Sequence, residues 1–60
     1  MKYLELEQLV VGHNYVCIFY DMSEECDLTY IGNGLFKDNG SVGTVIYSVY
    51  GDIRYVIKQV

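Results

Sequence analysis

Apolar residues occupy both alternating sets of positions in segment 15–20, the most apolar stretch of the chain. One set comprises Tyr15, Cys17 and Phe19, and the other comprises Val16, Ile18 and Tyr20. Successive side chains of a strand point to opposite faces, and a small single sheet buries one of those faces in its own core. The second apolar face must then meet solvent or a partner, so this pattern is the first indication of an interaction surface.

The rest of the pattern predicts short antiparallel strands joined by loops and turns. No window sustains a 3.6-residue period, while abundant Tyr, Val and Ile with no Pro favour β-structure. Segment 22–27 is polar and acidic, and we expect a loop there. The predicted strands span 2–6, 15–21, 28–36, 42–50 and 53–60.

Glycine-containing pairs predict where the chain turns. Asn39-Gly40 is the preferred pair for a type I′ hairpin, because both residues tolerate positive φ. Gly32 and Gly34 share a strand face and predict a sharp bend or bulge, as at a barrel corner. Gly51-Asp52 predicts a second tight turn.

The order of these signals over residues 9–60 resembles the SH3-like small barrels. The matching features are Val11-Gly12-x-x-Tyr15-Val16, a glycine-bearing central strand, Asp38-Asn39-Gly40 and Gly51-Asp52-Ile53. The resemblance implies an all-β fold, a single small antiparallel sheet or SH3-like barrel of four to five strands. The chain lacks the paired acidic loop, Trp and Pro of peptide-binding SH3 domains, so the resemblance implies no proline-rich ligand.

Length predicts one domain over 1–60 with a thin margin of stability. Chains of this size usually need a disulfide, a metal or a second subunit. A disulfide between Cys17 and Cys26 stays open, but two cysteines do not form a disulfide scaffold and no secretory signal is apparent, so we expect free thiols and a cytoplasmic protein. Two Cys and one His are too few for structural zinc. Stabilisation by a homo-oligomer or by a complex with a host protein is therefore favoured.

The net charge argues against nucleic-acid duplexes as partners, and the hydropathy argues against a membrane-spanning segment. The formal net charge of −4 opposes direct binding to nucleic-acid duplexes, which needs clustered Lys and Arg. No apolar run reaches 18 residues, so no membrane span is predicted. An acidic chain can instead bind a basic protein surface.

Alternation predicts which side chains remain on the outer face. We expect Val45, Tyr47 and Val49 inside on the fourth strand, and Ile53, Tyr55 and Ile57 inside on the fifth. Curling of the sheet or cover by the terminal segments is the alternative to an interface. The seven tyrosines favour a binding surface mildly. The apolar residues left outside are Tyr20, Ile46, Tyr50, Val56 and Val60.

Catalytic and metal-binding chemistry is not expected. His13 is the only histidine, and no spacing pairs it with a nucleophile, so an enzyme is not predicted. No cofactor or metal motif is present. The carboxylates of segment 21–27 are interpreted first as a solvated loop, next as a contact surface for a basic partner, and least as a calcium site.

These observations predict a small acidic binding protein, not an enzyme, that masks or inhibits a host protein. Its size and composition resemble accessory proteins of bacteriophages. The predicted partner-binding residues are Tyr20, Asp21, Glu24, Glu25, Asp27, Ile46, Tyr50 and Val56.

Two alternatives stay open. An oligomer could sequester a small nucleotide signal, with cations holding phosphates and a tyrosine ring against the base. The chain could also be a structural subunit of a larger assembly. The residues of the nucleotide alternative are Lys37, Arg54, Lys58 and Tyr55.

Overall fold

The computed structural model describes residues 3–21, 23–40 and 43–60 as one antiparallel sheet preceded by a short 3₁₀ helix, Leu6–Gln8. The strands are β1 Asn14–Phe19, β2 Glu25–Gly32, β3 Leu35–Gly40, β4 Gly43–Ser48 and β5 Ile53–Gln59. The sheet order is β4-β3-β2-β1-β5, and the described edge strands β4 and β5 are not paired with each other. The predicted all-β class is confirmed, as a single open sheet that does not close into a barrel.

The sheet curls strongly, because its two edge strands are joined by a tight turn. The carbonyl of Ser48, the last residue of β4, accepts the N–H of Asp52 at 2.8 Å, one residue before β5 begins. In a flat five-stranded sheet the edge strands would lie roughly 19 Å apart, since neighbouring strands are about 4.8 Å apart. The rings of Phe19 on β1 and Tyr47 on β4 also meet, with centroids 4.7 Å apart. The end of β4 therefore crosses the concave face of the sheet.

The concave face holds the core. Phe36 lies at its centre, with its ring centroid 5.0 Å from that of Tyr30 and 6.3 Å from that of Tyr15. Both tyrosine hydroxyls have partners, since they accept the N–H groups of Gly34 and Val10 at 3.2 and 2.9 Å. Of the two apolar faces of segment 15–20, the one with Tyr15, Cys17 and Phe19 is therefore the inner face. The buried cluster comprises Tyr15, Cys17, Phe19, Leu28, Tyr30, Phe36, Ile53 and Val56.

The predicted strand over 2–6 is wrong for its described residues. The Gln8 N–H donates to the Glu5 carbonyl at 2.9 Å, which closes a 3₁₀ turn instead of a strand ladder, and Gln8 Oε1 accepts the Glu5 N–H at 2.7 Å. Before that turn, the Leu4 N–H donates to the Val56 carbonyl at 2.8 Å on the outer edge of β5. The N-terminal segment therefore covers part of one sheet edge. Lys2 lies outside the described residues.

The predicted single strand over 28–36 is in fact a hairpin. Asn33 and Gly34 have φ of 55° and 76°, the positive values of a type I′ turn, and Gly32 pairs with Leu35 across it. A turn at this point aligns Tyr30 with Phe36, so that both rings enter the core. The predicted bend at the glycine pair is therefore a complete chain reversal.

The predicted turn pair Asn39-Gly40 lies inside β3. These two residues pair with Thr44 and Gly43 of β4, so β3 and β4 are paired as predicted, but Asn39 and Gly40 belong to the ladder. Val42, the predicted start of the fourth strand, and Ser41 lie outside the described residues. The ladder between β3 and β4 takes precedence over the local preference of the Asn-Gly pair for a turn.

The predicted acidic loop 22–27 is shorter than expected, because β2 begins at Glu25. The ladder with the apolar strand β1 holds this acidic segment in an extended conformation, with the Cα atoms of Asp27 and Val16 paired. Met22 lies outside the described residues. Two of the predicted loop carboxylates, Glu25 and Asp27, are therefore fixed on a strand.

The predicted alternation along β5 fails because the pairing with β1 is irregular. The register shifts between Ile18 and Phe19 and again between Val16 and Cys17. Such shifts break the two-residue period, so Ile53 and Val56 both enter the core. Val56 is only 6% exposed, so its predicted place on an outer partner surface is wrong.

Along β4, the predicted inner set is only partly correct. Tyr47 and Val49 pack against the core as expected, whereas Val45 is exposed. Val45 pairs with Asp38 of β3, near the end of the sheet where the core residues stop. Most of β4 is therefore exposed on both of its faces.

We expect Gly34→Ala to destabilise the protein by about 1–3 kcal/mol, because it places a side chain at positive φ. Its Cβ would also lie 2.8 Å from Tyr50 Cε2 and 3.0 Å from Val49 Cγ2. Gly51→Ala is the matched control, since a Cβ there meets no atom within 4 Å. Urea denaturation of the three proteins measures the effect. Equal stability of the two variants would contradict this account of the turn.

Candidate protein-binding surface

The second apolar face of β1 is covered in part by the chain itself. Val16 is buried between Asp27 on β2 and Lys58 on β5, its cross-strand partners. Ile18 is half-buried between Glu25 and Tyr55. The apolar excess that the sequence places on this strand therefore needs no partner along most of its length.

Tyr20, directly after β1, is the residue of segment 15–20 whose side chain remains largely exposed. Its side chain is 62% exposed, while its N–H donates to the Asp52 carbonyl at 3.1 Å and fixes the backbone. Tyr20 and Asp21 line two shallow clefts of about 390 and 320 Å³. Tyr47 and Asp52 complete the first cleft. A large amphipathic ring on a fixed backbone is suited to binding a protein surface.

Asp21 and Asp52 line the first cleft with Tyr20, and further carboxylates follow before β2, on β2 and on β3. Asp21 follows Tyr20, and Glu24 precedes β2. Asp52 lies across the first cleft, and Asp38 on β3 is close enough to Cys26 to raise the pKa of its thiol. The sequence analysis did not include Asp38 or Asp52 among the partner-binding residues, because their positions depend on strand pairing and on the β4–β5 turn. We call this group the acidic end: Asp21, Glu24, Glu25, Asp27, Asp38 and Asp52.

Members of the acidic end differ in their structural roles. Asp52 Oδ2 accepts the Ser48 N–H at 3.0 Å, so this carboxylate also holds the β4–β5 turn. Glu24 and Glu25 are exposed, and neither side chain makes a hydrogen bond within the described residues. Like charges so close together repel one another, and a cationic partner would relieve that repulsion.

Two of the remaining predicted partner-binding residues are exposed but line neither cleft beside Tyr20. Ile46, 49% exposed, pairs with Lys37 and lies on β4, three strand intervals from β1. Tyr50 is 76% exposed in the β4–β5 turn, where its ring rests against Gly34. The structure therefore divides the predicted surface into the acidic end with Tyr20, the β4 side and the turn.

The residues of the predicted nucleotide site do not converge within one chain. Lys37 lies on β3 and Lys58 on β5, with β2 and β1 between them in the sheet. The Arg54 guanidinium lies 5.1 Å from the Tyr55 ring centroid, and that ring stacks on Tyr3 at 4.1 Å. Arg54 and Tyr55 are thus already in contact with each other, and the nucleotide site stays a prediction that requires a second copy.

Among the described residues, His13 lies apart from both cysteines, and no group of side chains is placed to hold a metal ion. His13 Nδ1 lies 2.8 Å from Gln59 Nε2 on the surface, away from both thiols in the ladder. Within residues 3–21, 23–40 and 43–60, no three His, Cys, Asp or Glu side chains are placed to share a metal ion. The same part of the chain has no helix that is long and apolar enough to cross a membrane.

Comparison with protein-family models, with curated proteins and with solved structures finds no match to this chain. The resemblances to SH3-like barrels and to bacteriophage accessory proteins therefore rest on sequence features alone. The function of the surface around Tyr20 has to be argued from its own geometry and charge.

Proposed function

We propose that this protein is a binding module without enzymatic activity, whose acidic end binds a basic surface on another protein and masks it. The observation that carries the proposal is that the exposed ring of Tyr20 lines a cleft together with the carboxylates of Asp21 and Asp52. Negative potential concentrated at one end steers a basic partner toward that end and raises the association rate. The ring then supplies apolar contact area.

The chemistry of the partner follows from the arrangement of charges. Glu24 and Glu25 are exposed on adjacent positions at the start of β2, while Arg54 is the one cation that lines a described cleft beside Tyr20. A partner surface rich in Lys or Arg, such as a nucleic-acid-binding face, complements this end. In its most specific form, the proposal is a phage-encoded inhibitor of a host protein.

We expect the double charge reversal Glu24→Lys/Glu25→Lys to reduce capture of basic proteins from a bacterial lysate by about tenfold or more. The immobilised wild-type and variant proteins are compared by quantitative mass spectrometry of the captured fraction. The matched control is Glu5→Lys/Glu7→Lys, which makes the same change in net charge at two exposed positions, the N-cap and the middle of the 3₁₀ helix.

The control keeps capture near the wild-type level if the acidic end is the binding surface. Equal losses in both double variants would mean that net charge alone governs capture, and equal capture by all three proteins would remove the electrostatic basis of the proposal. Tyr20→Ser separates the apolar contribution of the ring from the electrostatic contribution of the carboxylates. This variant should weaken capture and leave the salt dependence of capture unchanged.

The exposed edge of β4 supports homo-oligomerisation as a second candidate property. Residues 43–50 carry no charge and no Pro, which are the usual means of protecting an edge strand. Val45 and Ile46 are both exposed there. Pairing of β4 with the same strand of a second copy would cover both residues and extend the sheet.

We expect Ile46→Lys to convert such an oligomer to a monomer, because a charge beside the paired edge opposes association. Val60→Lys, at an exposed position on the far side of the sheet, is the control. Native mass spectrometry across a dilution series gives the mass of each particle. A wild-type protein that is monomeric at every concentration would contradict this candidate.

A further inference from the structure

The two cysteines of the chain lie directly opposite each other on neighbouring strands. Cys17 of β1 and Cys26 of β2 are paired in the antiparallel ladder. Paired residues point to the same face of a sheet, and here that is the concave face. Cys17 belongs to the buried core, and Cys26 packs against that core from a half-buried position.

The spacing of such a pair matches the span of a disulfide. Directly opposed residues of an antiparallel pair have Cα atoms about 4.5–5.5 Å apart. Disulfides occur at Cα separations of about 4.4–6.8 Å. Both thiols are free in this structure. We propose that Cys17 and Cys26 form a reversible intramolecular disulfide that links β1 to β2.

The bond can form by exchange with a small disulfide such as glutathione disulfide. The Cys26 thiolate attacks one glutathione sulfur, forms a mixed disulfide and releases one glutathione thiolate. The Cys17 thiolate then attacks Cys26 Sγ, the new S–S bond forms, and the second glutathione thiolate leaves. The two cysteines lose two protons and two electrons, and glutathione disulfide is reduced to two thiols.

The surroundings of the two thiols set the order and the rate of these steps. Burial raises the pKa of Cys17 to about 12, so this thiol stays protonated at neutral pH. Burial, followed by the charges of Glu24, Asp38 and Asp27, raises the pKa of Cys26 as well. Since only thiolates exchange, we expect slow reaction in the folded state, beginning at the less buried Cys26.

The proposed bond would act on the segment that carries part of the acidic end. It closes the loop from Cys17 to Cys26, which contains Tyr20, Asp21 and Glu24. A crosslink of this kind restricts the unfolded chain and leaves a native pairing in place, so it should stabilise the fold. The inference does not depend on the proposed binding function.

The test compares the oxidised and the reduced protein after the same refolding. The chain is oxidised with glutathione disulfide in denaturant, where burial does not slow exchange, and the bond is verified by a mass loss of about 2 Da. After removal of denaturant, circular dichroism follows thermal unfolding of both forms. We expect the oxidised form to unfold several degrees higher than the reduced form. An equal or lower melting temperature, or an oxidised chain that does not refold, would overturn the proposal.

An equilibrium measurement with a matched variant completes the test. In one fixed glutathione redox buffer, the equilibrium constant for the disulfide should be at least about tenfold larger in the folded than in the urea-unfolded protein, because linkage ties it to the gain in stability. Cys26→Ala removes the less buried thiol and should show no redox-dependent melting temperature. A smaller constant in the folded protein would show that the native geometry opposes the bond.

Discussion

The contact between the rings of Phe19 and Tyr47 is the constraint on which the rest of this fold depends. It joins β1 to β4, which are separated by two strands in the ladder, with ring centroids 4.7 Å apart. A flat sheet would hold these strands roughly 14 Å apart. Because the sheet curls to make this contact, one concave face encloses the aromatic core, and the β4–β5 connection can be a tight turn.

Curling also explains how so short a chain concentrates charge at one end. The β4–β5 turn brings Asp52 to the end of β1, where it meets Tyr20 and Asp21. Pairing of β2 with β3 brings Asp38 near enough to Cys26 for its charge to raise the pKa of that thiol. The acidic end is therefore a product of the fold, and we infer its binding role from that convergence.

The fold class could be predicted from sequence, because it follows from composition and local alternation. The Gly51-Asp52 turn could be predicted as well, whereas the reversal at Asn33-Gly34 could not, since the core pairing of Tyr30 with Phe36 decides it. The burial of Val56 could not be predicted either, because register shifts between β1 and β5 leave no local signal.

The candidate site, too, could be predicted only in the part that depends on local sequence. Tyr20 and the carboxylates of segment 21–27 were visible as an exposed ring beside an acidic run. Asp38 and Asp52 join them only through long-range pairing, which a single sequence does not reveal. The facing of Cys17 and Cys26 also depends on register, because a shift of one residue would place the two thiols on opposite faces.

Nuclear Overhauser spectroscopy of the folded protein tests the curled sheet most directly. The account expects strong cross-peaks between ring protons of Phe19 and Tyr47, since their centroids are 4.7 Å apart. The pairing of β1 with β2 and β5 should appear in the same spectrum as an internal control. A complete set of these ladder contacts without any contact between Phe19 and Tyr47 would contradict the account.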